Sequence, residues 1–126
     1  MLLDTDVLIW ALRGNAAAAA LIDSTPHLEL SAVSYMELLK GARDKGEQRQ
    51  IKSFIRDLGF EMLPIDTNAS HRAVIYMEEY VVSAGVEMAD ALIAATAAES
   101  AALLCTANDR HYRFIPDVEL HVFRPQ

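Results

Sequence analysis

Apolar and polar positions alternate along this chain with two different periods, and the change of period divides it into strands and helices. Short apolar or alternating stretches predict β-strands at residues 1–3, 28–31, 60–65, 103–106 and 118–123. Longer stretches with helical periodicity predict α-helices at residues 6–13, 15–24, 32–44, 47–58, 67–83 and 88–101. Because the strands alternate with one or two helices, the sequence predicts an α/β fold with a mostly parallel central sheet flanked by helices.

Residues that favour helix ends stand at several of these boundaries. Asp6 and Asn15 are placed to act as N-caps of the first two helices, because their short side chains accept hydrogen bonds from free backbone N–H groups. Gly59 and Gly85 follow two later helices and are C-cap candidates. Residues 44–46 separate the third predicted helix from the fourth.

Length and composition narrow the class of protein. A chain of 126 residues with 52% hydrophobic residues suits one domain, residues 1–126, with a substantial core. The single cysteine, Cys105, lies in an apolar stretch, forms no internal disulfide and fits a reducing, cytoplasmic compartment. We expect no signal peptide, and no apolar run reaches the roughly 18 residues needed to cross a bilayer.

The charge distribution bears on nucleic-acid binding in two opposite ways. The net charge is −7, whereas nucleic-acid binders usually present a basic surface. Six of the eleven Lys and Arg residues nevertheless fall between Lys40 and Arg56. This stretch is a candidate nucleic-acid contact, or else a solvated helix face in which Asp44, Glu47 and Asp57 are interspersed. Bound divalent cations would offset part of the acidic excess.

Three acidic residues occupy positions that suit chemistry. Asp4 ends the first predicted strand, and Asp90 lies in the first turn of an apolar helix, where the helix dipole stabilises a negative charge. Glu37 shares the polar face of its helix with Ser34. The alternatives are structural: Asp4 and Asp90 can cap helices, although Asp6 is better placed to cap the first one, and Glu37 can be a solvated glutamate.

Binding of a cation gives a chemical reason for gathering several carboxylates in one place. Carboxylates a few ångströms apart repel, and their pKa values rise unless a positive charge is near. Mg²⁺ or Mn²⁺ prefers such oxygen ligands and can activate water for attack on a phosphodiester. Other chemistries find no support, because the four histidines show no zinc-ligand spacing with Cys105 and no glycine-rich phosphate loop or nucleophile elbow is present.

Four segments together resemble one known family. They are residues 3–9 (LDTDVLI), residues 34–38 (SYMEL) followed by Gly41, residues 90–97 (DALIAATA) and residues 106–112 (TANDRHY). Each is weak alone, but in this order they resemble the PIN-domain nucleases, and most closely the VapC-type toxins of prokaryotic toxin–antitoxin pairs. The resemblance covers essentially the whole chain. It implies a PIN-like three-layer α/β sandwich and a Mg²⁺-dependent endoribonuclease that also accepts Mn²⁺.

The resemblance also implies roles for particular residues. Asp4 and Asp90 would ligate the metal directly, and Glu37 would bind a second metal or orient the attacking water. Supporting hydrogen bonds would come from Thr5, Asp6, Ser34 and Thr106. Many family members have a fourth acid in the last segment, where this chain has Asn108, Asp109 and, at a position often acidic, His111. We predict that Asp109 is the fourth catalytic residue and that the Asn108 carbonyl oxygen supports it.

Partners follow from the same resemblance. Such toxins act on RNA, for example tRNA or rRNA, dimerise, and are blocked by an antitoxin that inserts a peptide into an apolar groove. The residues considered for that groove are Trp10, Leu12, Leu38 and Leu39, for each of which a place in the core is the alternative. The antitoxin would supply DNA binding, and no membrane partner is expected.

Two other functions compete with this interpretation. One is a PIN-like module that has lost catalysis and only binds a partner, which the missing fourth acid keeps open. The other is a phosphatase of the haloacid-dehalogenase type, in which Asp4 would be the nucleophile of an Asp-x-Asp motif. The Gly-Thr that usually follows that motif is absent, since this chain has Val7-Leu8 there.

Overall fold

The computed structural model describes residues 1–126 and contains one five-stranded sheet, in the order β3-β2-β1-β4-β5. The strands are β1 Leu2–Leu3, β2 Glu29–Ser31, β3 Glu61–Leu63, β4 Leu104–Thr106 and β5 Leu120–Val122. Every neighbouring pair is parallel, so all five strands end at the same edge of the sheet. The predicted α/β class with a central parallel sheet is confirmed, although every strand is shorter than predicted, β3 and β5 most of all.

Six helices connect and cover the strands. They are α1 Thr5–Leu12, α2 Ala16–Ser24, α3 Ala32–Lys40, α4 Lys45–Asp57, α5 Thr67–Ala84 and α6 Met88–Glu99, and a short 3₁₀ turn spans Asp109–His111. The helix boundaries agree with the prediction to within a few residues. The largest differences flank Asp44: α3 ends at Lys40, and α4 begins two residues earlier than predicted because Asp44 accepts a hydrogen bond from Glu47 N at 2.9 Å.

The helix caps are partly as predicted. Asn15 caps α2 by accepting a hydrogen bond from Ala18 N at 2.9 Å. Gly85 closes α5 in the left-handed conformation, with φ of 66°, which glycine adopts at little cost. The prediction that Asp6 caps α1 is wrong: Asp4 is the N-cap residue, and Asp6 lies within the first turn. The reason is a long-range contact, since the Asp6 carboxylate accepts hydrogen bonds from the backbone of Ala107.

Consecutive leucines in β1 place a core on each face of the sheet, because neighbouring side chains of a strand point to opposite sides. Leu2 packs in one cluster with buried residues of α5 and α6, including Ile93 and Ala94. Leu3 packs in a second cluster, on the opposite face, with buried residues of α1, α2 and α4, including Leu8 and Ile55. Helices on both faces of a parallel sheet make the three-layer arrangement that was expected.

Cys105 lies in β4, next to the central strand β1, and is completely buried as a free thiol. Burial, together with the negative charges of Asp6 and Asp4, raises the pKa of this thiol to about 12. The thiolate is therefore scarce at neutral pH. Cys105 behaves as the small buried hydrophobic residue that its sequence context indicated.

No helix of this protein is, by itself, both long enough and apolar enough to cross a membrane. Taken together, α1 and α2 meet the criteria of length and composition, but the two helices bend by 114° where they join. Both helices contribute side chains to the core, Val7 and Leu8 from α1 and Ala18 and Ile22 from α2.

Candidate active site

The carboxyl edge of the sheet brings Asp4 and Thr106 together from the ends of two neighbouring strands. Asp4 follows β1, and Thr106 is the last residue of β4, which pairs with β1 in parallel register. Asp4 is only 6% exposed. It accepts hydrogen bonds from Thr5 N at 2.8 Å and from the Thr106 hydroxyl at 2.9 Å. Asp4 therefore both caps α1 and lies at the centre of this site, so the two interpretations of Asp4 do not exclude each other.

Asp6 supplies a second carboxylate at the same place. Its two oxygens accept hydrogen bonds from Ala107 N at 3.3 and 3.2 Å, and its Oδ2 lies 3.5 Å from the Thr106 hydroxyl. Asp4 and Asp6 thus share Thr106 as a neighbour. The sequence predicted Asp6 as a supporting residue, and the structure places its carboxylate close enough to Asp4 to raise the pKa of Asp4.

Asp90 reaches the site from the first turn of α6. Its Oδ1 accepts a hydrogen bond from the Tyr112 hydroxyl at 3.2 Å, and its Oδ2 lies 3.2 Å from Nδ1 of His111. Asp90 does not cap α6, because the N-cap position belongs to Glu87, which makes no side-chain capping bond. Tyr112 is completely buried beneath the carboxylates, and burial followed by the charges of Asp4 and Asp90 raises its pKa.

Glu37 enters the site from α3 through a chain of hydroxyl groups. The Thr5 hydroxyl donates to Glu37 Oε1 at 2.7 Å and lies 2.9 Å from the Ser34 hydroxyl. Ser34 is completely buried, whereas Glu37 is exposed. The shared face of Glu37 and Ser34 was expected from helical periodicity, and Thr5 connects that face to the acid at the end of β1. Glu37 is also near enough to Asp90 to raise the pKa of Asp90.

Burial dominates the electrostatics of this site. It raises the pKa of Asp4 from 3.8 to about 7, with a further contribution from Asp6, although hydrogen bonds from Thr106 and Thr5 oppose the shift. Burial is also the largest cause of the raised pKa values of Asp6 and Asp90. Carboxylates with raised pKa values gathered at one edge of a sheet are candidates for a functional site.

The donor set fits a divalent metal ion. Asp4, Asp6, Glu37 and Asp90 bring carboxylate oxygens to one edge of the sheet, and such hard oxygen ligands are those that Mg²⁺ and Mn²⁺ prefer. Every ion pair formed by an arginine involves other acids, and no lysine pairs with any of the four. The negative charge of the site is therefore without a Lys or Arg partner, which is the situation that a bound cation would relieve.

A different group of possible ligand atoms lies at the opposite edge of the sheet and is not this site. His27, Glu29 and Glu61 stand at the amino ends of β2 and β3, where Glu29 and Glu61 are paired in register. His27 Nε2 lies 3.6 Å from Glu29 and 3.1 Å from Glu61, so the group is an ordinary surface ion-pair cluster when the imidazole is protonated.

The fourth acid predicted from the sequence has a different surrounding. The Asp109 carboxylate faces Arg124, with a distance of 3.5 Å, and makes no hydrogen bond to the other acids. Asn108 approaches the site through its amide nitrogen, 3.1 Å from His111 Nε2. The catalytic role of Asp109 stays a prediction, and Asp6 is the carboxylate that lies beside Asp4.

Sequence reasoning missed His111 and Tyr112 as parts of the site. The family pattern pointed to position 111 only as the place of an absent acid, and Tyr112 was assigned no role of its own. No local signal indicates that the Tyr112 hydroxyl or the His111 imidazole reaches Asp90, because Asp90 lies on another element about twenty residues away.

A groove of about 580 Å³ opens beside Glu37 between α1, α3 and α4. Ile9, Leu12, Leu38 and Ile51 form its apolar lining, together with the polar side chains of Arg13, Glu37, Arg43, Glu47 and Gln50. Of the residues predicted to face a groove, Leu12 and Leu38 do so. Trp10 and Leu39 are not among the lining residues; Leu39 packs against the core on this side of the sheet.

Solved structures of similar fold include a toxin–antitoxin complex and related two-component assemblies whose names follow. A toxin–antitoxin complex from Klebsiella pneumoniae has 26% identity and a TM-score of 0.78, with 93% of each chain covered. FitAcB from Neisseria gonorrhoeae has 27% identity and a TM-score of 0.73, covering 98% of this chain and 96% of that one. DNA-bound VapBC from Salmonella typhimurium shares the fold at 22% identity and a TM-score of 0.80, with 96% of each chain covered.

Among curated protein sequences, none matches this chain. The family model described as PIN domain matches residues 1–115, which span all four acidic positions of the site and every strand but the last. The order of the acids along the chain, their convergence at the carboxyl edge of a parallel sheet and this match agree with one another. This chain belongs to the PIN-domain family.

Proposed function

We propose that this protein is a divalent-metal-dependent endoribonuclease that acts in the cytoplasm as the toxin of a toxin–antitoxin pair. One observation carries the proposal: Asp4, Asp6, Glu37 and Asp90 converge in a PIN fold with no lysine or arginine to neutralise them. Carboxylates in such a cluster are costly for the folded protein unless they serve a cation. Hydrolysis of an RNA phosphodiester is the reaction that this donor set suits.

Each acid has a distinct task in this proposal. Asp4 and Asp90 hold Mg²⁺ or Mn²⁺, since Asp4 is buried and anchored by two hydrogen bonds and Asp90 faces it across the Tyr112 hydroxyl. When bound, the metal ion supplies a Lewis acid for the phosphate and lowers the pKa of a water molecule. Asp6 keeps the backbone of Ala107 and the Thr106 hydroxyl in place around Asp4.

Glu37 is suited to handling the attacking water. It is exposed, so solvent and substrate reach it, and yet the Thr5 hydroxyl fixes one of its oxygens at 2.7 Å. The second oxygen has no hydrogen-bond partner in the protein and is free to accept a proton from water. Binding of a second metal ion is the alternative use of this oxygen.

The surface of α4 offers contacts for the RNA backbone. Arg43 and Arg56 are neutralised by neighbouring acids, but Lys45, Arg49 and Lys52 are exposed and form no ion pair. Three free cations on one helix provide the local positive charge that the overall charge of −7 does not. A tRNA or rRNA is the proposed class of substrate.

The groove beside Glu37 is the proposed docking site of the antitoxin. It combines an apolar lining with Arg13 and Arg43 and reaches Glu37, so a peptide bound there would cover part of the acidic site. The similar solved structures include a toxin–antitoxin complex and complexes bound to DNA. We propose that DNA contacts come from the antitoxin and that the toxin is a homodimer.

The test is RNA cleavage by the chain purified free of any antitoxin. We expect cleavage of structured RNA with Mg²⁺ or Mn²⁺, its loss with EDTA, and its loss in Asp4→Asn and Asp90→Asn. Asp23→Asn, an exposed carboxyl on α2, is the matched control and should cut as the wild type does. Equal cutting by Asp4→Asn would contradict the metal-site assignment and point to a contaminant. A folded wild-type chain that binds Mn²⁺ and leaves RNA intact would favour the non-catalytic binding module.

A further inference from the structure

His111 is the one basic side chain in contact with the acidic site. Its Nδ1 lies 3.2 Å from Asp90 Oδ2, and none of the other ion pairs of the protein involves Asp4, Asp6, Glu37 or Asp90. The imidazole is about half exposed, whereas the Asp90 side chain is mostly buried. The histidine therefore stands at the rim of the site and reaches inward to one carboxylate.

The second ring nitrogen of His111 is also engaged. Nε2 lies 3.1 Å from the amide nitrogen of Asn108. An amide nitrogen only donates, so Nε2 accepts this bond and the proton of the neutral ring resides on Nδ1. The Nδ1–H group then donates to Asp90 Oδ2. Asn108 thus selects the tautomer in which the ring presents a donor, rather than a lone pair, to the carboxylate.

A series of further hydrogen bonds ties this arrangement back to Asp4. The backbone N–H of Asn108 donates to the Thr106 hydroxyl oxygen at 3.0 Å, and that hydroxyl donates to Asp4 Oδ2 at 2.9 Å. The Tyr112 hydroxyl donates to Asp90 Oδ1 at 3.2 Å. Both oxygens of Asp90 therefore have a protein donor, which fixes the carboxylate and leaves each oxygen with lone pairs for a ligand.

We propose that His111 is a positioning residue: its Nδ1–H, oriented by Asn108, holds Asp90 in the conformation that binds the metal ion. This inference rests on the proposed function, because it assumes that Asp90 is a ligand. The Nδ1–H hydrogen bond fixes the orientation of the carboxylate and leaves lone pairs on its oxygens for the metal ion. Partners that orient ligands in this way typically contribute about 10–100-fold to metal affinity.

Mn²⁺ affinity measured directly, without any turnover, tests the proposal. The dissociation constant is determined by titration calorimetry and by the electron-paramagnetic-resonance signal of free Mn²⁺. His111→Leu removes the donor and should weaken binding about 10–100-fold. His111→Asn places an amide N–H near the former Nδ1 and should restore most of the affinity. His121→Leu, a matched change of an exposed histidine on β5, should bind as the wild type does.

The outcomes separate this proposal from the one on which it rests. If His111→Leu binds Mn²⁺ as tightly as the wild type while Asp90→Asn binds it weakly, the role of His111 is refuted and the metal site stands. If the wild type does not bind Mn²⁺, or Asp90→Asn leaves binding unchanged, the metal-site assignment fails and the role of His111 fails with it. If a folded His111→Asn variant binds Mn²⁺ as weakly as His111→Leu does, the positioning role is also overturned.

A second measurement does not depend on any variant being folded. In the ¹⁵N-labelled wild-type protein without metal, correlations between ring nitrogens and carbon-bound ring protons identify the tautomer of His111. We expect a proton on Nδ1. A neutral ring protonated on Nε2 would direct a lone pair at the Asp90 carboxylate, which is repulsive, and would overturn the proposal.

Discussion

Replacing Asp4 by asparagine should make the metal-free protein more stable as the pH rises. Asp4 has a pKa of about 7 in the folded protein, because it is buried and close to Asp6, against an ordinary value of 3.8. Asparagine keeps an oxygen for the capping bond from Thr5 N and carries no charge at any pH. The substitution therefore removes the cost of burying the charge while it preserves the cap of α1.

The raised pKa sets both the direction and the size of the effect. Below about pH 4 the carboxyl is protonated in the folded and the unfolded chain, so its titration costs nothing. Between about pH 4 and pH 7 the unfolded chain releases this proton first, and the wild type loses stability as the pH rises. A pKa of about 7 in the folded chain against 3.8 in the unfolded chain means that ionised Asp4 lowers the free energy of unfolding by roughly 4 kcal/mol, since a tenfold change in proton affinity is worth about 1.4 kcal/mol. We expect the free energy of unfolding of Asp4→Asn to exceed that of the wild type by about 2–4 kcal/mol near pH 8, and the excess to fall to near zero at about pH 4.

Urea unfolding in EDTA, followed by circular dichroism across this pH range, measures the difference. The matched control Asp23→Asn changes an exposed carboxyl and should show no such pH-dependent gain. Adding Mg²⁺ should stabilise the wild type, by about 2.7 kcal/mol at a hundredfold excess over its dissociation constant, and so narrow the gap to Asp4→Asn. A difference that does not grow with pH, or an Asp4→Asn variant less stable than the wild type near pH 8, would refute the reasoning.

Two further substitutions test the site and the core. Thr5→Val keeps the shape of the side chain but removes the hydroxyl that holds Glu37. The rate of RNA cleavage should fall about tenfold while the melting temperature stays unchanged. An unchanged cleavage rate would show that Glu37 needs no such support. Ile93→Ala, in the fully buried face of α6, should lower the free energy of unfolding in urea by about 2–5 kcal/mol. Ile75→Ala, on the exposed surface of α5, should lower it by less than about 1 kcal/mol. Similar losses at both positions would contradict the assigned core.

The architecture was largely predictable because it depends on local patterns. Alternating strands and helices, joined by short connections, leave few arrangements other than a parallel sheet covered on both faces. The apolar run at residues 1–3 predicted the first strand, and the structure buries both Leu2 and Leu3. The strand order was not predictable in the same way, because β1 pairs with β2 and β4, and β4 lies about a hundred residues further along the chain.

The acids of the site were predictable to different degrees. Asp4 and Asp90 were identified both by their positions at the end of a strand and in the first turn of a helix and by the family pattern, while Glu37 depended mainly on that pattern. Asp6 was misjudged as a helix cap because rules for helix ends consider only the nearest backbone. Its actual partners, Thr106 and Ala107, are about a hundred residues away.

The sequence by itself determined the local elements, since strands and helices follow from residue type and short-range spacing, and the family pattern supplied most of the candidate acids. Only the tertiary structure decided which polar atoms meet. Thr5 joins Glu37 to the end of β1, and Tyr112 and His111 hold Asp90, through contacts between elements distant in sequence. A hydrogen bond requires its two partners to lie within about 3 Å of each other. Distances of that precision are determined by strand order and helix packing, and not by spacing along the sequence.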